Sequence, residues 1–297
     1  MQQINWYPGH MAKAKRMIQE NIKLVDAVAE IVDARAPAAT RNPDFDGILK
    51  TRERIVFLNK ADLADPALCK AWIRQYESQG IQAAAIVSTG AAMKKQAMAL
   101  LQRATAEKVA RMQAKGIRKT VRIMVVGIPN AGKSTFINSF AGSVRAKAAD
   151  KPGVTRGKQW ITVDNYDLMD MPGVLWKKFD SLETATNLAF IGSIKDDILD
   201  IEELAMGLLS QIRQVYPERL QERYKLNEQD LTLDAYELLQ VIGRKRGMLI
   251  SGGEVNTERA AIMLVDEFRA SKWGRITLEK PPVREAEGQE DEAEELQ

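Results

Sequence analysis

Apolar and polar positions over the first 170 residues follow two periods. Short apolar runs typical of buried strands are found at 28–34, 54–60, 83–88, 121–127, 160–163 and 166–170. Segments with apolar residues three and four positions apart lie between them, at 11–25, 67–79, 93–115 and 133–141. Strands that alternate with helices in this way predict an α/β domain built on a mainly parallel sheet.

The pattern changes near residue 178. Helical spacing alone follows, at 181–192, 196–214, 230–242 and 256–270. We therefore predict an α/β domain over residues 1–178 and a small all-helical domain over residues 179–284. Residues 285–297 hold seven acids and no base, which is typical of a disordered acidic tail.

Composition and charge narrow the class of protein. With 297 residues, 45% hydrophobic and 28% charged, the chain is globular in type. The apolar run at 121–128 is too short to cross a membrane, and the N-terminus lacks the apolar centre of a secretory signal. A single cysteine, Cys69, excludes an internal disulfide and favours a reducing compartment. We expect a monomeric, cytoplasmic protein without a membrane partner.

The net charge points to a polyanionic partner. The whole chain carries +3 and the tail contributes seven negative charges, so residues 1–284 carry +10. A tail that serves only to keep the chain in solution is the alternative.

The strongest motif is a phosphate-binding loop. Residues 127–134 read G-I-P-N-A-G-K-S and match G-x-x-x-x-G-K-[ST] between a predicted strand and a predicted helix. Backbone N–H groups of such a loop face phosphates, while its lysine and serine serve the β/γ-phosphates and Mg²⁺. A glycine-rich turn without a ligand is the alternative. The residues assigned to nucleotide binding here are Asn130, Ala131, Gly132, Lys133, Ser134 and Thr135, with Ser134 also a Mg²⁺ ligand.

Two further segments complete a predicted switch. Asp170-Met-Pro-Gly173 ends a strand, so Asp170 would hold Mg²⁺ through water and Gly173 would offer its N–H to a γ-phosphate. Thr155, in the loop P-G-V-T at 152–155, would close over Mg²⁺ when a γ-phosphate is present. A plain loop threonine is the alternative. We expect Thr155 and Gly173 to take part in hydrolysis.

A base-reading motif, N-K-A-D at residues 59–62, follows the apolar run R-I-V-F-L at 54–58. The Asp62 carboxylate can accept the two N–H groups of a guanine edge, which adenine lacks, and this favours GTP over ATP. Lys60 can lie across the base, and Asn59 can tie this loop to the phosphate loop. Ser88 begins the loop where a second base contact would fall. The motif precedes the phosphate loop, the reverse of the ordinary order, which a parallel sheet permits because these loops share one edge.

The group that activates water is less evident. Val174 follows Gly173 where many GTPases have a glutamine, so we predict slow intrinsic hydrolysis. His10, the only histidine, can position or deprotonate water near neutral pH. Packing or RNA contact is the alternative for His10.

These motifs, in this order, resemble the YlqF/RbgA family of circularly permuted GTPases, which act in assembly of the large ribosomal subunit. The resemblance runs from W-Y-P-G-H-M-A-K-A at 6–14, through D-M-P-G-V-L-W at 170–176, to K-W-G-R-I-T-L-E at 272–279. It implies a permuted GTPase domain, a helical RNA-binding domain and His10 as a water-activating group. It also implies Asn130 as a K⁺ ligand near the β- and γ-phosphates, with a hydrogen bond inside its own loop as the alternative.

Basic residues cluster at 13–16, 111–119, 145–158 and 244–246. Such clusters are suited to binding the phosphates of an RNA backbone, and solvent-exposed charged faces without a partner are the alternative.

We predict a GTP-hydrolysing factor that binds rRNA in a large-subunit precursor, promotes a late assembly step and leaves after hydrolysis. The large subunit should raise its low intrinsic rate. A GTP-responsive RNA-binding module with incidental hydrolysis and a signalling GTPase with a protein partner are the alternatives. Asp62 argues against an ATPase.

Overall fold

The computed structural model describes residues 9–117, 119–142 and 160–282. The elements of the α/β part are α1 (Gly9–Asn21), a 3₁₀ turn (Ile22–Leu24), β1 (Ala27–Asp33), α2 (Asp44–Leu49), β2 (Glu53–Asn59), α3 (Pro66–Ser78), β3 (Gln82–Ala85), α4 (Met93–Ala114), β4 (Val121–Val126), α5 (Lys133–Ala141), β5 (Trp160–Val163) and β6 (Tyr166–Asp170).

Six strands form one sheet in the order β3-β2-β1-β4-β6-β5. All neighbouring pairs are parallel except β5 with β6. Every residue of β1 is buried, as expected for a central strand covered on both faces. The predicted α/β class with a mainly parallel sheet is confirmed, and the carboxyl ends of β1, β2, β4 and β6 lie at one edge.

The second part of the chain is helical. Its elements are α6 (Leu182–Phe190), a 3₁₀ turn (Asp196–Ile198), α7 (Ile201–Val215), α8 (Pro217–Tyr224), a 3₁₀ turn (Asp230–Thr232), α9 (Ala235–Lys245) and α10 (Thr257–Arg269). Leu208, Leu239 and Leu264, from α7, α9 and α10, are fully buried together in one core. The helical character expected after residue 178 is confirmed.

The spacing of apolar residues did not predict the shortest helices. The six residues of α2 bury only Phe45 and Leu49, too few to reveal a helical repeat. In α8, Pro217 occupies the first turn, where its missing N–H costs no hydrogen bond, and a new helix begins directly after α7. The helix predicted from residue 230 begins instead at 235, because Asp234 caps it in a capping box with Glu237.

The segment G-R-K-R-G (243–247) follows the helix predicted at 230–242, and its position before the next predicted helix led us to expect a loop; this expectation is wrong, because the helix continues to Lys245. Gly243 lies within α9, where a Cβ atom would stand 2.4 Å from Val255 Cγ1. The glycine therefore permits close packing rather than ending the helix. Gly247, with φ of +66°, follows the helix end instead. Of the three cations, Lys245 binds Asp230 and Arg246 binds Glu267.

A C-terminal strap, residues 275–280, returns from α10 to the α/β part. Leu278 N–H donates to the Arg35 carbonyl at 2.7 Å, and Ile276 N–H donates to the Leu63 carbonyl at 3.1 Å. The Glu279 carboxylate accepts from Ala38 N–H at 2.6 Å. The domain division at residue 178 stays a prediction, because this last segment lies against the first part.

The described residues include no helix that combines the length and the apolar character needed to cross a membrane.

Candidate functional site

The phosphate loop (residues 127–134) is held tightly at the carboxyl end of β4. Gly127 has φ of +147°, and a Cβ atom there would lie 2.4 Å from the Ile31 carbonyl oxygen. Gly132 has φ of +95°, and a Cβ atom there would lie 2.3 Å from Asn59 Nδ2. Both positions therefore require glycine. Because α5 begins at Lys133, the N-terminus of that helix faces the space enclosed by the loop.

Asn59 joins three loops through one buried amide. Its Nδ2 donates to the Ala131 carbonyl at 2.9 Å. Its Oδ1 accepts from Ser88 N–H at 3.0 Å and from the Ser88 hydroxyl at 2.8 Å. The expected link between Asn59 and the phosphate loop is confirmed. Ser88 uses both donors to orient Asn59, and its contact with a base stays a prediction.

Lys60 connects the base-reading loop to the phosphate loop and to β1. Its Nζ donates to the Asn130 carbonyl at 2.7 Å and lies 2.8 Å from Asp33 Oδ2. Asp62 is exposed at the same edge of the sheet. A carboxylate in that position is accessible to a guanine base.

Asp33 and Arg35 form a buried ion pair that sequence reasoning missed. Arg35 Nε and Nη2 lie 3.0 and 2.8 Å from the two Asp33 oxygens. Burial alone would raise the pKa of the Asp33 carboxyl, but Arg35 and Lys60 outweigh it and hold that pKa well below its usual range. An aspartate ending an apolar parallel strand at the ligand edge was the available signal.

Lys133 is buried within the loop. Its Nζ donates to the Ile128 carbonyl at 2.7 Å. Burial lowers the pKa of Lys133 to about 8, against the opposing effect of the Asp170 carboxylate. Asp170 ends β6 and is paired in register with Val125 of β4, so its carboxylate lies beside the loop.

The donor set at this edge fits Mg²⁺. Ser134 and Thr135 are exposed in the first turn of α5, and Asp170 is partly exposed nearby. A hydroxyl and one carboxylate are hard oxygen donors, and Mg²⁺ usually completes its shell with water and phosphate. Within residues 9–117, 119–142 and 160–282, no three His, Cys, Asp or Glu side chains cluster to hold a metal by themselves.

Gly173 lies directly against the phosphate loop. A Cβ atom there would stand 2.7 Å from Pro129 N and 2.9 Å from Lys133 Nζ. The next residue, Val174, donates its N–H to the Gly127 carbonyl at 3.2 Å. The structure therefore brings the Asp170–Gly173 segment and the phosphate loop together. Thr155 lies outside the described residues.

Val174 is turned away from the site. Its side chain is fully buried in an apolar cluster with Met171 and with Ala14 and Ile18 of α1. His10 precedes Ala14 by one helical turn and so shares its face, but is exposed. Ala14 and Ile18, one and two turns after His10 along α1, thus share an apolar cluster with Met171 and Val174.

Asn130 makes its side-chain contact outside its own loop. With φ of +60°, it donates from Nδ2 to the Gly192 carbonyl, 2.6 Å away, in the turn after α6. The alternative of a bond within its own loop is therefore not what the structure shows. Since the amide nitrogen is committed to Gly192, the amide oxygen is the atom suited to a K⁺ ion.

The fold and this site define a P-loop GTPase in which the base-reading motif precedes the phosphate loop. The chain is 44% identical to Ribosome biogenesis GTPase A of Priestia megaterium over 285 residues, 95% of this chain and 98% of that protein. It belongs to the ribosome biogenesis GTPase A family. A family profile described as 50S ribosome-binding GTPase matches residues 122–243.

A further relative and two solved structures are similar to this chain over nearly its whole length. Ribosome biogenesis GTPase A of Thermotoga maritima is 31% identical over 282 residues, 94% of this chain and 95% of that protein. The crystal structure of GNP-bound YlqF from T. maritima matches with a TM-score of 0.63 and 28% identity, covering 90% of this chain and 98% of that one. The GDP-bound YlqF structure matches with a TM-score of 0.64 and 27% identity, over 90% and 99%. Membership of this GTPase family confirms the predicted nucleotide binding and GTP hydrolysis.

Proposed function

We propose that this GTPase is an assembly factor for the large ribosomal subunit. Its GTP form binds rRNA in a precursor of that subunit at a late step, and its GDP form leaves. The protein acts as a monomer in the cytoplasm. The names of the relatives and of the matching family profile support a ribosomal partner.

One observation carries the coupling of hydrolysis to release. The Asn130 amide in the phosphate loop donates to the Gly192 carbonyl in the helical part. A change of the loop on loss of the γ-phosphate therefore acts directly on the helical part. If the helical part holds rRNA, the nucleotide can set the affinity for rRNA through this contact.

The charge distribution supports contact with an RNA backbone. Exposed cations are found on α1, after α4 and at the end of α9, at Lys13, Arg16, Lys115, Lys119 and Arg244. Contacts of this kind bind phosphates without sequence preference and weaken steeply with salt. The basic cluster at 145–158 lies outside the described residues.

Within the site, we assign reading of guanine to Asp62, with Lys60 along the base. The phosphates lie on the N–H groups of residues 130–135 and on Lys133, and Gly173 N–H meets the γ-phosphate. Ser134 and Thr155, and Asp170 through water, would hold Mg²⁺, which would neutralise phosphate charge. Asn130 would hold K⁺.

His10 positions the attacking water in this proposal. The water oxygen bonds to the γ-phosphorus while the bond from that phosphorus to the bridging oxygen breaks. GDP leaves with the bridging oxygen, one proton of the water stays on the inorganic phosphate, and the other passes to solvent. His10 lies in the first turn of α1, before the residues of that helix that share an apolar cluster with Val174, and it is exposed to solvent.

The test is GTP hydrolysis by the full chain with and without large ribosomal subunits, in KCl and in NaCl. We expect a low basal rate that large subunits raise strongly, with small subunits as the matched control. Co-sedimentation should be stronger with a non-hydrolysable GTP analogue than with GDP. Equal rates with large, small and no subunits would refute the assembly function.

A further inference from the structure

The turn that follows α6 is fixed from within the helical part by one arginine. Arg269, the last residue of α10, donates from Nη2 to the Ala189 carbonyl at 2.8 Å and from Nε to the Phe190 carbonyl at 3.0 Å. The same guanidinium binds both Asp196 oxygens, at 2.6 and 2.8 Å. Residues 189–193 are called the α6 turn below. Arg269 therefore holds two carbonyls of the α6 turn, and Asp196 three residues beyond that turn, with one planar group.

The α6 turn lies on the edge of the sheet formed by the carboxyl ends of β1, β2, β4 and β6, which we call the nucleotide edge. The Gly192 carbonyl accepts from Asn130 at 2.6 Å, and the Ile191 carbonyl accepts from Arg35 Nη2 at 3.5 Å. Arg35 Nη1 also reaches the backbone carbonyl of Arg269, at 3.4 Å. Two positions of the nucleotide edge thus contact the α6 turn or the arginine that fixes it.

Asn130 depends on contacts from outside the phosphate loop. Its φ of +60° is unfavourable for a residue with a Cβ atom, although asparagine tolerates it better than most. Lys60 holds its carbonyl oxygen, and Gly192 holds its side-chain amide. Of these two contacts, the one to Gly192 decides which way the amide faces.

We propose that Arg269 is a positioning residue for GTP hydrolysis: by fixing the α6 turn, it places the Gly192 carbonyl that orients the Asn130 amide. This rests on the proposed role of Asn130 beside the β- and γ-phosphates. The helical part thereby contributes to the catalytic site without touching the nucleotide. Hydrolysis is faster when the α6 turn is in place and slower when it is displaced.

The test compares Arg269→Gln, Asn130→Ala and the double variant by single-turnover hydrolysis and GDP affinity, in KCl and in NaCl. Arg269→Gln should lower kcat in KCl about fivefold, as expected for loss of one orienting hydrogen bond. It should also bring the ratio of rates in KCl and NaCl towards one. The double variant should be no slower than Asn130→Ala, because both changes act on one amide.

Two further variants separate positioning from general destabilisation. Arg269→Lys can keep the Asp196 ion pair and one carbonyl contact, and its rate should lie between those of the wild type and Arg269→Gln. Arg223→Gln is the matched control, since Arg223 also binds a carboxylate within the helical part, that of Glu267, away from the α6 turn. Its ratio of rates should equal that of the wild type.

The proposal is overturned if Arg269→Gln keeps the wild-type rate and ratio, or if Arg223→Gln changes both equally. It is also overturned if Asn130→Ala is without effect, since Arg269 is argued to act through that residue. Failure of the assembly function would be seen separately, as no stimulation by large subunits in a wild-type protein whose basal rate still depends on Asn130 and Arg269.

Discussion

Replacing Asn59 by aspartate or by alanine should separate the two functions of its amide. The residue is 2% exposed, and its Nδ2 and Oδ1 make three hydrogen bonds to Ala131 and Ser88. Asn59→Asp keeps an oxygen for the two Ser88 donors but sets a carboxylate oxygen against the Ala131 carbonyl. Asn59→Ala removes the contacts on both sides.

The expected magnitudes follow from these contacts. A buried polar group left unpaired costs about 1–3 kcal/mol. Asn59→Asp should therefore lower the free energy of unfolding by about 1–3 kcal/mol, and Asn59→Ala, which leaves more groups unpaired, by roughly 2–5 kcal/mol. Because the repelled carbonyl belongs to the phosphate loop, Asn59→Asp should also weaken GDP binding about tenfold or more.

Urea unfolding without nucleotide and titration with a fluorescent GDP derivative measure the two effects. Asn165→Asp is the matched control, because it adds the same charge at an exposed turn between β5 and β6. Wild-type stability and GDP affinity in Asn59→Asp would refute the reasoning that this amide joins the base-reading and phosphate loops.

Three further predictions follow from burial and charge. Val174→Gln should cost about 2 kcal/mol of stability and leave hydrolysis no faster, since the fully buried side chain cannot reach water; a faster, equally stable variant would contradict this. GDP affinity should fall as pH rises above about 8, where Lys133 loses its proton in the free protein, whereas Lys133→Arg should show a flatter pH dependence in the same titration. Burial raises the pKa of Glu279 to about 7 despite hydrogen bonds from Asn187 and from Ala38 and Ala39 N–H. Protonated Glu279 therefore makes its full contribution to the free energy of unfolding below the pKa it has in the unfolded chain, and this contribution is lost as pH rises through about 7. In urea unfolding, the free energy of unfolding of the wild type should fall relative to that of Glu279→Gln between about pH 5 and 8.

The spacing of apolar residues predicted the sheet, and short motifs predicted the site, because both depend on residues close together in the sequence. The predicted strands at 160–163 and 166–170 and the predicted helix at 133–141 match the observed bounds. The base-reading motif and the phosphate loop could be placed at one edge because parallel strands share their carboxyl ends.

The contacts that join the two parts could not be predicted in this way. Asn130 and Gly192 are 62 positions apart, and Arg35 and the Arg269 carbonyl are 234 positions apart. Periodicity reports which face of an element is buried, whereas these pairs depend on how separate elements pack. Gly243 shows the same limit, since a glycine near a helix end signals termination until its neighbour Val255 is known.

The C-terminal strap has a consequence for synthesis of the chain. Leu63 and Arg35 emerge early from the translating ribosome, but their backbone partners Ile276 and Leu278 emerge more than 200 residues later. At about 5–20 residues per second, the loops beside the nucleotide edge wait roughly 10–40 s for their last hydrogen bonds. A nascent chain that has completed both nucleotide motifs therefore still lacks part of the support of its site, and that support becomes complete only after residues 276–278 have also emerged.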